Sequence, residues 1–269
     1  MVYTKNGDKM KIMTFNLKND TFFTHKNMRW DIRKQYVINI IRLHQPDIIG
    51  VQELTPKIKL QLSEILPEYT FIGQSRNRFS QWMNEHTDIG FRADLFDCIK
   101  QDTFWLSSHP DRKGSRIWTS IFPRICTKVQ LKLKSTDQDF LIYNTHLDHL
   151  IPHSRRREMS VLMNNMQKEK ESNLPMILMG DFNTTLNSRT LQQLTQSTLG
   201  MRCIYTSHMH NTIHRGTGKT NQNKQPIDYI FISDCLDVIT YEIITTQFNG
   251  LYPSDHYPIV CQLQLIPNQ

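Results

Sequence analysis

Long apolar runs are missing from this chain. None approaches the roughly 20 residues that a membrane-spanning helix needs, and residues 1–8 are polar where a secretory leader carries an apolar stretch. Cysteine is sparse as well. Cys98, Cys126, Cys203, Cys235 and Cys261 are odd in number, scattered, and never spaced Cys-x-x-Cys, which argues against a disulfide framework and against a thiolate zinc site. Three of them, Cys98, Cys126 and Cys261, fall in strand-like runs, so packed, reduced thiols in a cytoplasmic protein are expected. Internal repeats and linkers are absent too, and a single domain over residues 1–269 is expected.

What the chain does have is an excess of positive charge, a formal +7 with a pI near 9.1. Such a balance favours an anionic partner, although modest basicity also simply keeps a protein soluble. Placement adds weight. Arg76 and Arg78, then Arg112, Lys113 and Arg116, then Arg155, Arg156 and Arg157, then Arg215, Lys219 and Lys224 all lie between the polar motifs described below. If those motifs share one end of a sheet, the basic segments form its rim.

Periodicity separates helices from strands. Residues 30–43 repeat apolar positions at Ile32, Tyr36, Val37, Ile40 and Ile41, a helical spacing, with Pro46 just beyond the end. Pro56 opens a second helix over residues 57–66, and residues 154–170 read as a third. Strands are expected over residues 11–17, 47–51, 69–73, 87–92, 98–106, 125–134, 140–147, 175–179, 227–233, 238–245 and 259–265. Within them Val129, Leu131 and Leu133 alternate with Gln130, Lys132 and Lys134, one buried face and one wet. Residues 186–199 read as partly helical, and residues 207–226 as a long polar loop. The sum is an α/β fold with two packed sheets covered by helices.

Six of the apolar runs end in polar motifs: Thr14-Phe15-Asn16, Gln52-Glu53, Asn144-Thr145-His146, Gly180-Asp181-Phe182-Asn183, Ile227-Asp228-Tyr229 and Ser254-Asp255-His256. Hydrolysis of a phosphate ester needs a cation to neutralise developing charge, a base for water, and donors to phosphorus oxygens. Mg²⁺ takes oxygen ligands and keeps several waters, so Glu53, Asn16 and Asp255 suffice for it. Asp181 and Asn183 lie two residues apart just past a strand, placed to take a proton from water and to orient that water. His146 and His256 could donate to phosphate oxygens if carboxylates hold them charged, and Asp228 is the natural partner for one of them. Singly, each motif is as well explained by a turn, a cap or a structural histidine. The ordered set is much harder to obtain by chance.

That order resembles the endonuclease/exonuclease/phosphatase superfamily with its DNase I-like fold. The resemblance covers the chain from Asn16 to His256, and Gly180-Asp181-Phe182-Asn183 and Ser254-Asp255-His256-Tyr257-Pro258 are its most specific parts. Thr103-Phe104-Trp105-Leu106-Ser107 followed by Pro123-Arg124 is similar to a mainly bacterial branch on the deadenylase side. The resemblance implies a four-layer α/β sandwich and dependence on Mg²⁺ or Mn²⁺. It implies Glu53 as principal metal ligand beside Asn16, Asp181 as the water-activating base and Asn183 as its partner. It further implies His256 oriented by Asp228, Asp255 supporting the metal region, and His146 on the other side of the phosphate. Glu85 matches a carboxylate that pairs with His146, and Arg116, Trp118 and Arg124 fall where the branch touches substrate.

The expected substrate is a phosphate ester, nucleic acid foremost because of the charge and because aromatic and arginine side chains suit stacked bases. A small phosphorylated metabolite or lipid head group is the alternative, and a catalytically inactive nucleic-acid-binding relative is the third possibility. Trp118 also reads as a core residue. His208, His210 and His214 have spacing for a second metal but no acidic ligands nearby, and His214 is better placed at the active-site rim. A monomer is the default.

Overall fold

Alternation along β1 (Met10–Asn16) decides what each residue faces. Met10 and Ile12 enter one apolar core, while Met13 and Phe15 enter another. The second core lies beneath helices α1 (Trp30–His44) and α2 (Pro56–Ile65), which contribute Val37, Ile38, Ile40, Ile41, Ile58 and Leu62. The first lies between two sheets. Continuing the alternation puts Thr14 and Asn16 on the inter-sheet side, where the apolar run gives way to polar contacts. The computed structural model describes residues 9–21, 24–78, 84–205, 210–219 and 225–266.

The first sheet also holds β2 (Ile48–Leu54), β3 (Tyr69–Ile72), β4 (His86–Arg92), β11 (Leu236–Ile243) and β12 (Ile259–Leu265), in the order β11-β12-β1-β2-β4-β3. The second holds β5 (Phe96–Trp105), β6 (Ile125–Leu133), β7 (Gln138–His146), β8 (Met176–Asp181), β9 (Met201–Cys203) and β10 (Asp228–Ser233), in the order β5-β6-β7-β8-β10-β9. Helix α3 (Pro152–Glu169) crosses from β7 to β8, and α4 (Arg189–Thr195) follows β8. Met159, Leu162 and Met166 of α3 and Leu191 and Leu194 of α4 cover the second sheet. Two mixed sheets packed face to face and flanked by helices are the expected four-layer sandwich.

Both sheets pair their central strands in parallel, β1 with β2 and β7 with β8. Parallel pairing requires a crossover, here α1 and α3, and gathers the strands' carboxyl ends at one edge. Register then places residues abreast: His146 lies opposite Asp181, and Asp181 lies opposite Asp228. Gly180 makes this spacing possible. Its φ is +149°, and a Cβ there would overlap the Thr145 carbonyl oxygen, so only glycine lets β8 approach β7 so closely.

Asn144, expected in a site motif, serves the joint between the sheets instead. Its Nδ2 donates to the carbonyls of Val51 (2.9 Å) and Asp88 (2.8 Å), and its Oδ1 accepts from Gln52 Nε2 at 2.7 Å. Gln52 Nε2 also reaches Thr14 Oγ1 at 3.1 Å. Two other details depart from the sequence reading. Cys98 is exposed on β5 rather than packed, because residues 97–102 of this edge strand are exposed on both faces. Strand β9 is too short to show an alternation of its own. The stretch read as partly helical, residues 186–199, does hold a helix at Arg189–Thr195, capped by the Ser188 hydroxyl accepting from the Leu191 amide.

Glu158 on α3 is buried, and its Oε2 accepts from the Asp148 amide at 2.8 Å while Oε1 accepts from Ser120 Oγ at 3.1 Å. Burial pushes its carboxyl up to about 7. The folded state therefore holds a proton that the unfolded chain releases near pH 4.5. Stability from this group is fully present below that pH and is lost as pH rises to 7, by roughly 3 kcal/mol at 1.4 kcal/mol per unit. A Glu158→Gln protein should therefore gain on the wild type in melting temperature as pH is raised from 5 to 8. A constant difference between the two melting curves would contradict this account.

Candidate active site

The site forms where both sheets present their strand ends. In β2 a bulge breaks the register with β4 between Val51 and Leu54, and Glu53 sits at φ +54°. That bulge re-aims one residue, so Gln52 points into the inter-sheet joint and Glu53 into the site. Left-handed backbone is unusual for glutamate and marks a position held by its surroundings. Glu53 Oε2 accepts from the Asn19 amide at 2.7 Å, and Oε1 accepts from Asn16 Nδ2 at 3.1 Å.

Asn16 connects the two halves. The same Nδ2 donates to Asp181 Oδ2 at 3.0 Å, and Asn16 Oδ1 accepts from the Lys18 amide at 3.0 Å. Asp181 Oδ1 accepts from the Asn183 amide at 2.9 Å. Asn183, at φ +51°, is anchored by Nδ2 donating to the Leu147 carbonyl at 3.0 Å. Burial, and after it the Asp228 charge, pushes the Asp181 carboxyl up to about 7.

His256 Nδ1 lies 2.9 Å from Asp228 Oδ2, and its Nε2 lies 3.9 Å from Asp181 Oδ2. Burial alone would lower the imidazole, but the Asp228 charge and hydrogen bond outweigh it and hold His256 well above the usual histidine range. A residue outside every sequence motif joins the site here. Thr212 Oγ1 donates to Asp228 Oδ2 at 2.5 Å and accepts from the amides of Ile227 and Asp228. It comes from the polar loop that carried no motif, and the Ile213–His256 bridge holds that stretch in place.

His146 stands 3.6 Å from Asp181 Oδ2 through Nε2. Burial, then Arg124 and Arg76, drive it well below the usual range. The expectation of a charged His146 is therefore corrected to a neutral one. Its expected pairing with Glu85 is corrected too, because Glu85 Oε2 accepts from Arg76 Nη1 at 2.5 Å and Oε1 lies 3.5 Å from Asn19 Nδ2. Arginine is the stronger partner and it comes from the same hairpin as Glu85, so the short-range pair forms. Asp255 is half-buried at the edge, 3.6 Å from Lys18 Nζ.

The remaining expected residues divide. Arg124 is buried, with Nη2 2.9 Å from His149 Nδ1. Arg116 is exposed and donates to the Ile121 carbonyl at 2.7 Å, bracing its own loop. Trp118 is 86% exposed, so the core reading of it is wrong. Arg155 is buried and donates to the Asp148 carbonyl at 2.9 Å, which makes it a brace for the loop after β7. Of the three loop histidines, His208 lies outside the described residues and His210 is exposed. His214 is stacked on Tyr257 at 4.0 Å, next to the Asp255 backbone.

Among the described residues, two donor groups are available to a cation. Asp181, Asp228 and His256 offer atoms within 4.8 Å of one another. In that trio Asp228 Oδ2 is already committed to His256 and Thr212, so it is poorly free to ligate. Glu53, with Asn16, Asp181 and Asp255 nearby, offers oxygen donors, the set a hard divalent cation selects. The residues present fit Mg²⁺ or Mn²⁺.

With this geometry in place, comparison with known proteins is informative. The sequence profile of the Endonuclease/Exonuclease/phosphatase family matches residues 13–256, and the chain belongs to that family. A Bacteroides thetaiotaomicron protein described as an endonuclease/exonuclease/phosphatase family member is 26% identical, with a TM-score of 0.89 and coverage of 97% of this chain and 99% of that one. A mannosyl-6-phosphatase from the same organism is 27% identical, with a TM-score of 0.87 and coverage of 94% and 99%. Nocturnin of Drosophila melanogaster is 22% identical over 97% of this chain, which spans about half (47%) of that protein's length. Members of this family are phosphoric ester hydrolases, generally dependent on a divalent metal.

Proposed function

We propose that this chain, acting as one domain over residues 1–269, hydrolyses phosphate esters with Mg²⁺ or Mn²⁺ held by Glu53, beside Asn16 and Asp255. The observation that carries this reading is the Asn16 amide donating to both Glu53 and Asp181. It fixes the cation side and the base side of the site one hydrogen bond apart. The cation supplies neutralisation of charge on the phosphate. Asp181, raised toward neutrality, takes the proton of the attacking water, while Asn183 fixes the carboxylate's orientation. His256, kept charged by Asp228, donates through Nε2 to an oxygen on phosphorus, and Thr212 holds Asp228. Neutral His146 contacts the phosphate from the opposite side.

Nucleic acid is the first substrate reading, supported by the formal charge of +7 and by the exposed Trp118 with Arg116 close by in sequence. A small phosphorylated metabolite or lipid head group is the second, supported by the likeness to a mannosyl-6-phosphatase. The five unpaired cysteines support a cytoplasmic location, and a monomer is proposed. An inactive binding relative is disfavoured, since Asn16, Glu53, Asp181, Asn183, Asp228, Asp255 and His256 are all present in the sequence. The test is hydrolysis of RNA, single-stranded DNA, abasic duplex DNA and p-nitrophenyl esters, each with Mg²⁺ and with EDTA. Glu53→Ala should lose activity by about three orders of magnitude, in line with the several kcal/mol such a cation supplies. Steep loss of rate with salt would favour a polymer. Full activity of Glu53→Ala in EDTA would overturn the metal-dependent reading.

A further inference from the structure

Two loops flank the candidate site, and one buried side chain is bonded to both. The first is the long connection between β5 and β6, residues 106–124, which carries the exposed Arg116 and Trp118. Connections of this length without a strand or helix are uncommon in compact domains and, where ordered, are usually functional. The second loop follows β7 at residues 147–151. Its Leu147 carbonyl accepts from Asn183 Nδ2 at 3.0 Å, and its Leu147 amide donates to the Asp181 carbonyl at 2.9 Å. One loop thus holds residues expected to touch substrate, and the other is bonded to the residues expected to activate water.

Glu158 joins them. From α3 its Oε1 accepts from Ser120 Oγ at 3.1 Å, and its Oε2 accepts from the Asp148 amide at 2.8 Å. Glu158, Ser120 and Asp148 are all buried, so water competes little for these bonds. Each arm is reinforced. Thr119 Oγ1 and Ser154 Oγ lie 2.5 Å apart on the Ser120 side, and Arg155 Nη1 donates to the Asp148 carbonyl at 2.9 Å on the other. Asp148 Oδ1 accepts from the amides of Leu150 and Ile151 at 2.9 and 2.7 Å, which closes the turn into α3. An apolar side chain at position 158 would fill the same space without the cost of burying a carboxylate. It would hold neither loop.

We infer that Glu158 is a positioning residue, the anchor that fixes the loop bearing Arg116 and Trp118 relative to Asp181 and Asn183. This rests on reading the centre as a phosphate-ester hydrolase whose substrate reaches that loop. The two carboxylate oxygens have separate tasks. Oε1 sets the substrate side through Ser120, so losing that bond alone frees the loop and leaves the water-activating side in place. Oε2 sets the Asp148 side, which Arg155 also holds. Ordering a loop at the moment of binding costs affinity, and an anchor that orders it beforehand removes that cost. Glutamine can make both contacts, its oxygen accepting from the Asp148 amide and its NH₂ donating to Ser120 Oγ. Alanine can make neither.

The test compares wild type with Ser120→Ala, Glu158→Gln and Glu158→Ala. With Mg²⁺ present, kcat and KM are measured on a single-stranded RNA oligonucleotide and on p-nitrophenyl phosphate. Melting curves confirm folding, and amide hydrogen exchange is read over residues 116–121. Ser120→Ala should raise KM about five- to tenfold, the worth of one buried hydrogen bond, with kcat unchanged and faster exchange in the loop. Glu158→Gln should keep the wild-type KM and exchange. Glu158→Ala should raise KM at least as much and lower kcat too; if it does not fold, the other two variants decide the matter. A KM unmoved by Ser120→Ala, or a folded Glu158→Gln protein that behaves like Ser120→Ala, would overturn the inference and leave the hydrolase reading intact. The same KM effect on p-nitrophenyl phosphate, in a protein that leaves RNA uncut, would support the anchor and overturn the nucleic-acid reading. Hydrolysis of neither substrate by the wild type would overturn the hydrolase reading and the inference with it.

Discussion

Replacing Asp181 by asparagine is expected to lower kcat by about three orders of magnitude, within the range that a positioned general base supplies. The substitution preserves shape, and the oxygen that accepts from the Asn183 amide can remain. What it removes is the proton acceptor that burial and Asp228 bring to about 7, close to the pH at which a base is most useful. It also turns an amide group toward Asn16 Nδ2, where the carboxylate now accepts at 3.0 Å. The loss should appear in kcat at saturating substrate, with an unchanged circular dichroism spectrum. An Asp181→Asn protein with wild-type turnover would exclude Asp181 as the base.

A second large effect should fall on stability. Arg33 has no solvent exposure, yet lies on α1. Its Nε donates to the Met28 carbonyl at 2.8 Å and its Nη1 to the Pro253 carbonyl at 2.9 Å. Its two Nη groups also donate to the carbonyls of Leu17 and Lys18. Burial lowers its pKa to about 10, and Asp20 works against that, so the side chain stays charged. It thereby binds the segment after β1, which carries Asn16, to the segment that carries Ser254, Asp255 and His256. Arg33→Met keeps the aliphatic stem and leaves four carbonyls without their donor, which should cost about 4 kcal/mol. In a chain of this size that corresponds to a fall of roughly 10 °C in melting temperature. A shift of less than about 2 °C, on the same scale, would show that water replaces these bonds at little cost.

The strands and the acidic motifs were legible because apolar runs ended in polar residues at the places where strands stop. Asn16, Glu53, Asp181, Asn183, Asp228 and His256 could be found that way, and the structure brings them within one connected set of contacts. The bond from Asp228 to His256 follows from their charges and is present. What escaped notice comes from segments without period. Thr212 lies in a polar loop, Asn19 contributes a backbone amide that any residue could supply, and Arg33 sits in a helix whose apolar spacing gives no hint that one arginine is internal. Asn144 and Glu85 failed in a different way. Their residue types suited the chemistry, but their partners were decided by neighbours in space, the second sheet for Asn144 and Arg76 for Glu85. Trp118, taken as a possible core residue, stands in solvent.

The order of strands carries a consequence for how the protein is made. All six strands of the second sheet, β5 to β10, come from one unbroken stretch of chain, inserted between β4 and β11 of the first. β1 is central in its sheet, but one of its two neighbours is the last strand, β12. During synthesis the inserted sheet can assemble while β1 still waits, one edge open, for a partner about 250 residues behind it. The segment carrying Asp255 and His256 immediately precedes that partner. The growing chain therefore cannot assemble the candidate site until β12 has emerged and docked beside β1.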